Sequence, residues 1–99
     1  MRLMMVRAKI KADSIDEIEA AGRKLFSAID REQLQGIRYA SCRLPDGVTY
    51  LNLLELEDGI ENPLLALPEA KEFQENLKSW LAERATSESL KVVGSYRLF

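Results

Sequence analysis

The sequence predicts an α+β fold: a four-stranded antiparallel sheet covered on one face by two helices, in the chain order β-α-β-β-α-β. Apolar residues recur at three-to-four spacing after Ser14 and again after Pro68, while the runs around these segments alternate or are rich in strand-forming residues. A "PDG" tripeptide, Pro45 to Gly47, joins two of those runs as a hairpin turn. With 99 residues, 46% hydrophobic and 30% charged, the chain fits one ordinary globular domain over residues 1–99. A core of that size is modest, so oligomerisation would help to stabilise it.

The first element is a strand from Leu3 to Ala12, with Met4, Val6, Ala8 and Ile10 on one face and Met5, Arg7, Lys9 and Lys11 on the other. Ser14 opens the run S-I-D-E, a capping-box signal in which the Ser14 hydroxyl accepts from the Glu17 amide and the Glu17 carboxylate reaches back. Ile15, Ile18, Ala21, Leu25 and Ile29 then mark an amphipathic helix to about Arg31. Strands at Gly36–Leu44 and Val48–Glu57 flank the turn, where proline presets one dihedral and glycine tolerates a positive one.

The stretch "ENPLLALPEAKEF", Glu61 to Phe73, is unusually apolar for a connection, with three leucines between two prolines. We expect Leu64, Leu65 and Leu67 to form a short irregular or helical turn over a cavity rim or a partner subunit. Pro68 begins the second helix, where its missing amide proton costs nothing, and Glu69 favours the positive end of the helix dipole. Ala70, Phe73, Leu77, Trp80 and Leu81 form its inward stripe. Thr86–Ser89 reads as a polar break, and Leu90–Phe99 as the last strand. The order is the split βαβ pattern of ferredoxin-like folds.

Fourteen basic against 16 acidic residues give a net charge of -2 without clustering, which argues against nucleic-acid and anionic-membrane partners. The apolar start "LMMV" is closed by Arg7, too short for a signal peptide or a membrane helix, so a soluble cytoplasmic protein is expected. Cys42, the only cysteine, has no disulfide partner within the chain and is expected to be a buried structural thiol.

Two helices shield one face of such a sheet, and the other must meet water, a ligand or another chain. On that face we expect Leu3, Met5, Arg7 and Lys9 from the first strand, Ile37, Tyr39, Ser41 and Arg43 from the second, and Tyr50, Asn52 and Leu54 from the third. A dry interface would exclude unpaired Arg7, Arg43 and Asn52. The mixture suits a partly enclosed cavity, generated where two copies pack sheet to sheet about a twofold axis. A shift of one residue in any strand exchanges its faces.

The strand "TYLNLLELED", Thr49 to Asp58, the short apolar segment after it, and the helix "LPEAKEFQENLKSWL", Leu67 to Leu81, together with the order of elements over nearly all 99 residues, resemble the dimeric α+β barrel superfamily and its antibiotic biosynthesis monooxygenase-like (ABM) domains. The resemblance implies a homodimer and a cavity for a small aromatic or amphipathic molecule, in some members oxidised without metal or cofactor. A haem-degrading branch would require an Asn on the first strand, a Trp and an iron-ligating His. The chain has no histidine, so haem degradation is disfavoured, and the His that relatives carry before the second long helix would fall near Leu64 or Leu65. This removes the side chain whose ordinary pKa lies nearest neutrality.

The candidate ligand-binding residues are Arg7, Tyr39, Tyr50, Asn52 and Trp80. Asn52 is the most informative, because asparagine is depleted in strands and here interrupts Leu51, Leu53 and Leu54. Trp80 shares the apolar stripe of Phe73 and Leu77, which favours core packing, and tyrosines at half-buried sheet positions are ordinary. Arg7, Arg43 and Arg97 can hold a carboxylate or phenolate in a forked geometry, although a solvated surface is the simpler reading of each. Glu55, Glu57, Asp58 and Glu61 do not follow calcium-loop spacing and read as a solvated rim. Scattered glycines and absent histidine leave no phosphate loop, zinc cluster or Ser-His-Asp set, so no metal or cofactor is expected. Two functions follow: a cofactor-independent monooxygenase, or a non-enzymatic ligand-binding or assembly module with the same dimeric fold.

Overall fold

The computed structural model describes residues 1–98. Its elements are β1 (Arg2–Lys9), α1 (Ile15–Glu32), β2 (Ile37–Arg43), β3 (Thr49–Leu56), α2 (Pro68–Trp80) and β4 (Thr86–Leu90). Short 3-10 turns, Ala12–Ser14 and Pro63–Ala66, precede the two helices. The strands form one antiparallel sheet in the order β2-β3-β1-β4, and the two helices pack on one of its faces. This is the α+β, ferredoxin-like arrangement predicted from the sequence.

The hairpin turn and the start of α2 follow the local signals read from the sequence, and Asp46, Gly36 and Asn62 add others. In the β2–β3 turn, Asp46 accepts from the amides of Val48 and Thr49 and from the Thr49 hydroxyl, while Gly47 takes a φ of 77°. Gly36, at φ 78° before β2, is backed by the Ile60 side chain, so any Cβ there would be both strained and crowded. Asn62 caps the Pro63–Ala66 turn by accepting from the Leu64 amide, and Pro68 starts α2.

Ser14 does not make the expected capping box. It ends a 3-10 turn with its amide bonded to the Lys11 carbonyl, and its hydroxyl lies by Asp13 rather than over the helix amides. The last strand also lies earlier than expected. The polar run Thr86–Leu90 pairs with Leu3–Arg7 of β1, whereas the described apolar residues after it, Val92 to Leu98, leave the ladder, and Phe99 lies outside the described residues. As an edge strand with mostly exposed side chains, β4 needs no apolar alternation. Arg38 of β2 donates to the Leu98 carbonyl, so the C-terminal segment passes from one edge of the sheet to the other.

The core has two clusters. Ala8, Ile10, Ile18 and Tyr50 gather Ile15, Leu77 and Trp80 around them, and Leu25, Ala28 and Leu67 gather Leu64, Tyr39 and Ala70. Phe73 packs against both. The leucines of the apolar connection therefore divide: Leu67 is buried and Leu64 half-buried against α1, while Leu65 is 75% exposed. The first two serve the chain's own core, so the connection does not form a cavity rim.

Candidate functional site

Strand register decides which side chains can meet. Val6 pairs with Asn52 and Ala8 with Tyr50 across β1 and β3, while Ser41 pairs with Asn52 and Arg43 with Tyr50 across β2 and β3. Directly opposed residues share a face, so Tyr39, Ser41, Arg43, Tyr50 and Asn52 point with Val6 and Ala8 toward the helices. The expected faces of β2 and β3 are thus exchanged relative to β1. The face away from the helices instead carries Arg38, Ala40 and Cys42 of β2 and Leu51, Leu53 and Glu55 of β3 beside Leu3, Met5 and Arg7, with Leu3 buried at its Arg38 end. This parity also leaves Cys42 exposed rather than buried.

Between sheet and helices, bounded by members of both core clusters, lies a cavity of about 510 Å³, within the range of small-molecule sites. Its walls combine apolar Val6, Leu25, Phe26, Phe73 and Leu77 with Tyr39, Tyr50, Asn52 and the Glu19–Arg43 pair. Arg23, Ser41 and Arg43 are its exposed members and mark the mouth between α1 and edge strand β2. Tyr39 stacks on Phe26 at 5.1 Å between ring centroids, and burial raises the pKa of its phenol. The Tyr50 hydroxyl donates to Glu19 Oε2 at 2.6 Å, and the same oxygen pairs with Arg43 at 3.0 Å. Burial, then the Glu19 carboxylate, raises the Tyr50 pKa, so both phenols are hydrogen-bond donors at neutral pH.

Asn52 supplies a buried acceptor on the cavity wall that the protein leaves without a partner. Its Oδ1 is buried and accepts no hydrogen bond from the protein. An unmet buried acceptor costs about 1–3 kcal/mol, which a ligand hydroxyl or amide would offset.

Of the five candidates named from sequence, Tyr39, Tyr50 and Asn52 meet at this cavity. Arg7 does not: it lies on the opposite face, opposite Leu51 and Thr86, in a second, polar hollow with Lys9, Asp46 and Arg84. Trp80 packs at the end of α2, edge-on to Phe73 and donating from Nε1 to Glu17 at 3.0 Å, outside the cavity lining. Glu19 and Arg23 were not anticipated, since on a helix surface they read as solvated charges. Their one signal is four-residue spacing along the helix flank that also carries Ile15, Ile18 and Phe26. Among the described residues no group of three His, Cys, Asp or Glu side chains is placed to hold a metal ion, and no helix is long and apolar enough to cross a membrane.

No protein family matches the chain by sequence, and no curated protein is a detectable relative. Solved structures do match by shape. An antibiotic biosynthesis monooxygenase superposes with a TM-score of 0.78 at 14% identity, over 95% of this chain and 100% of that one. SnoaB, a cofactor-independent oxygenase from Streptomyces nogalater, gives 0.71 at 13% identity over 97% and 96%. A conserved protein from Methanosarcina mazei gives 0.70 at 15% identity over 92% of each chain. At such identities the shared property is the fold, and the chain has the α+β fold of the antibiotic biosynthesis monooxygenase-like structures.

Proposed function

We propose that the chain is a cytoplasmic homodimer whose subunits each bind a small aromatic or amphipathic molecule between sheet and helices and oxidise it with dioxygen without a metal or organic cofactor. The observation that carries this reading is the buried, unpartnered Asn52 Oδ1 within a largely apolar cavity that also presents two phenols and one carboxylate. The named oxygenases of the same fold support the reaction class. Asn52 accepts from a ring hydroxyl of the substrate and fixes the ring plane, and the apolar walls exclude water around it. Dioxygen adds at an electron-rich ring carbon. One oxygen atom stays as a new carbonyl, and the other leaves as water with the ring hydrogen and the hydroxyl proton. Glu19 is the carboxylate on the wall that receives that proton and returns it.

The test is oxygen uptake with a panel of polycyclic phenols. Asn52→Ala should keep its circular dichroism and lose about 100-fold in turnover, the scale of removing one positioned hydrogen-bonding group. Full turnover in that variant overturns the assignment. The second reading, a binding module without catalysis, is favoured by the absence of histidine and by the protonated state of Tyr39 and Tyr50, which leaves Glu19 as the one carboxylate on the cavity wall. Tight binding with no oxygen uptake across the panel establishes it.

A further inference from the structure

Two features of α1 at the cavity mouth are unexplained by the fold. Gly22 lies in the middle of an 18-residue helix, where glycine weakens the structure, yet it has no positive φ and an added Cβ would meet nothing within 4 Å. The space it leaves belongs to the cavity. Arg23, beside it, is four residues from Glu19, the spacing at which a helix ion pair forms. Glu19 is instead engaged by Tyr50 and Arg43, and among the described residues Arg23 has no ion-pair partner. The mouth therefore carries one compensated guanidinium, Arg43, and one uncompensated guanidinium, Arg23, above an apolar interior.

We propose that the ligand is an amphipathic anion, an aromatic ring system bearing a carboxylate, with its ring laid across Gly22 and its charged group held by Arg23. The inference rests on the reading that the cavity binds an aromatic molecule. It adds the charge of that molecule and the residue that selects it. A guanidinium holds a carboxylate through two parallel N–H donors, and a neutral ring of the same shape leaves those donors to water. Arg43 cannot serve equally, because moving to the ligand would strip Glu19 of its ion pair.

The experiment compares 2-naphthol with 3-hydroxy-2-naphthoate, which share a ring and differ by the carboxylate, by calorimetric titration of the full chain and of Arg23→Gln. The carboxylate should bind the unaltered protein about ten-fold more tightly, the size expected for one charge-assisted contact. Arg23→Gln should abolish that preference, so that the two compounds bind the variant with equal affinity. Equal affinities in the unaltered protein, or a preference that survives Arg23→Gln, overturn the assignment of Arg23 while the aromatic cavity stands. If neither compound binds, both readings fall.

Discussion

Asp46 shows how much a single exposed side chain can set in a chain this small. Its carboxylate collects the Thr49 hydroxyl at 2.6 Å and the amides of Val48 and Thr49 at 3.0 and 2.9 Å. The Thr49 hydroxyl first, then the two amides, lower its pKa from 3.8 to about 2. A carboxylate whose folded pKa is depressed stabilises the fold fully above its unfolded pKa and loses that contribution as pH falls through the folded one. The stabilisation from Asp46 is therefore complete above pH 3.8 and gone below about 2. Asp46→Asn should melt below the unaltered protein at neutral pH, and the gap in Tm should close across that acid window. A gap that persists undiminished at pH 2 would show that the charge is not what the turn uses. At this scale the sequence was readable where chemistry and local pattern conflict. Asn52 stood out because an amide breaks an apolar strand, and the hairpin turn because of its proline and glycine, whereas the bonding of Asp46 inside that turn did not stand out. Glu19, Arg23 and Gly22 did not stand out, since a charge or a glycine on a helix flank acquires meaning only from what packs opposite it.

Among the elements, α1 combines structural and site roles on one helix. Ile18, Leu25 and Ala28 are buried in the two core clusters, while Glu19, Gly22 and Arg23 border the space between them. If Gly22 is present for ligand space and not for the fold, Gly22→Ala should raise stability by about 0.5–1 kcal/mol in urea unfolding, the ordinary gain in a helix interior. Gly22→Leu should retain the fold and block naphthoate binding, because the longer side chain enters the cavity. A destabilised alanine variant would mean that the helix needs glycine there for a reason of its own. The helices were legible from periodicity because each buries one stripe. So was the hairpin, whose turn chemistry is local. β4 was misplaced because an exposed edge strand has no apolar face to impose alternation, whereas the apolar tail after it resembles a strand in composition and, among the described residues, makes no ladder. Ser14 misled in a related way: the residue spacing of a capping box was present, but the preceding 3-10 turn took the backbone out of the required conformation.

At the scale of the molecule, the face left open by the helices bears on assembly. Sequence alternation alone identified both faces of β1 but paired them wrongly with β2 and β3, because those strands are apolar on both sides and parity in one strand does not set parity in its neighbour. With the register in place, the open face is more apolar than expected at its centre. Leu53 of the inner strand β3 lies directly between Met5 of β1 and Ala40 of β2, and Leu51 and Cys42 continue the patch. Arg38 and Glu55 lie at the end where the C-terminal segment meets β2, and Arg7 and Lys9 at the other, so polar groups flank an apolar middle. If two copies pair through this face about a twofold axis, Leu53 of each meets the other copy's patch. Light scattering at micromolar concentration should then give about twice the chain mass of 11.2 kDa. Leu53→Glu should return the single-chain mass with circular dichroism unchanged, because the new carboxylate remains hydrated on the face of one copy and would be buried unpaired between two. A single-chain mass for the unaltered protein would remove the dimer, and a Leu53→Glu variant that stays dimeric would move the interface off this face. Neither result would alter the cavity, which is lined by α1, α2 and the sheet of one chain.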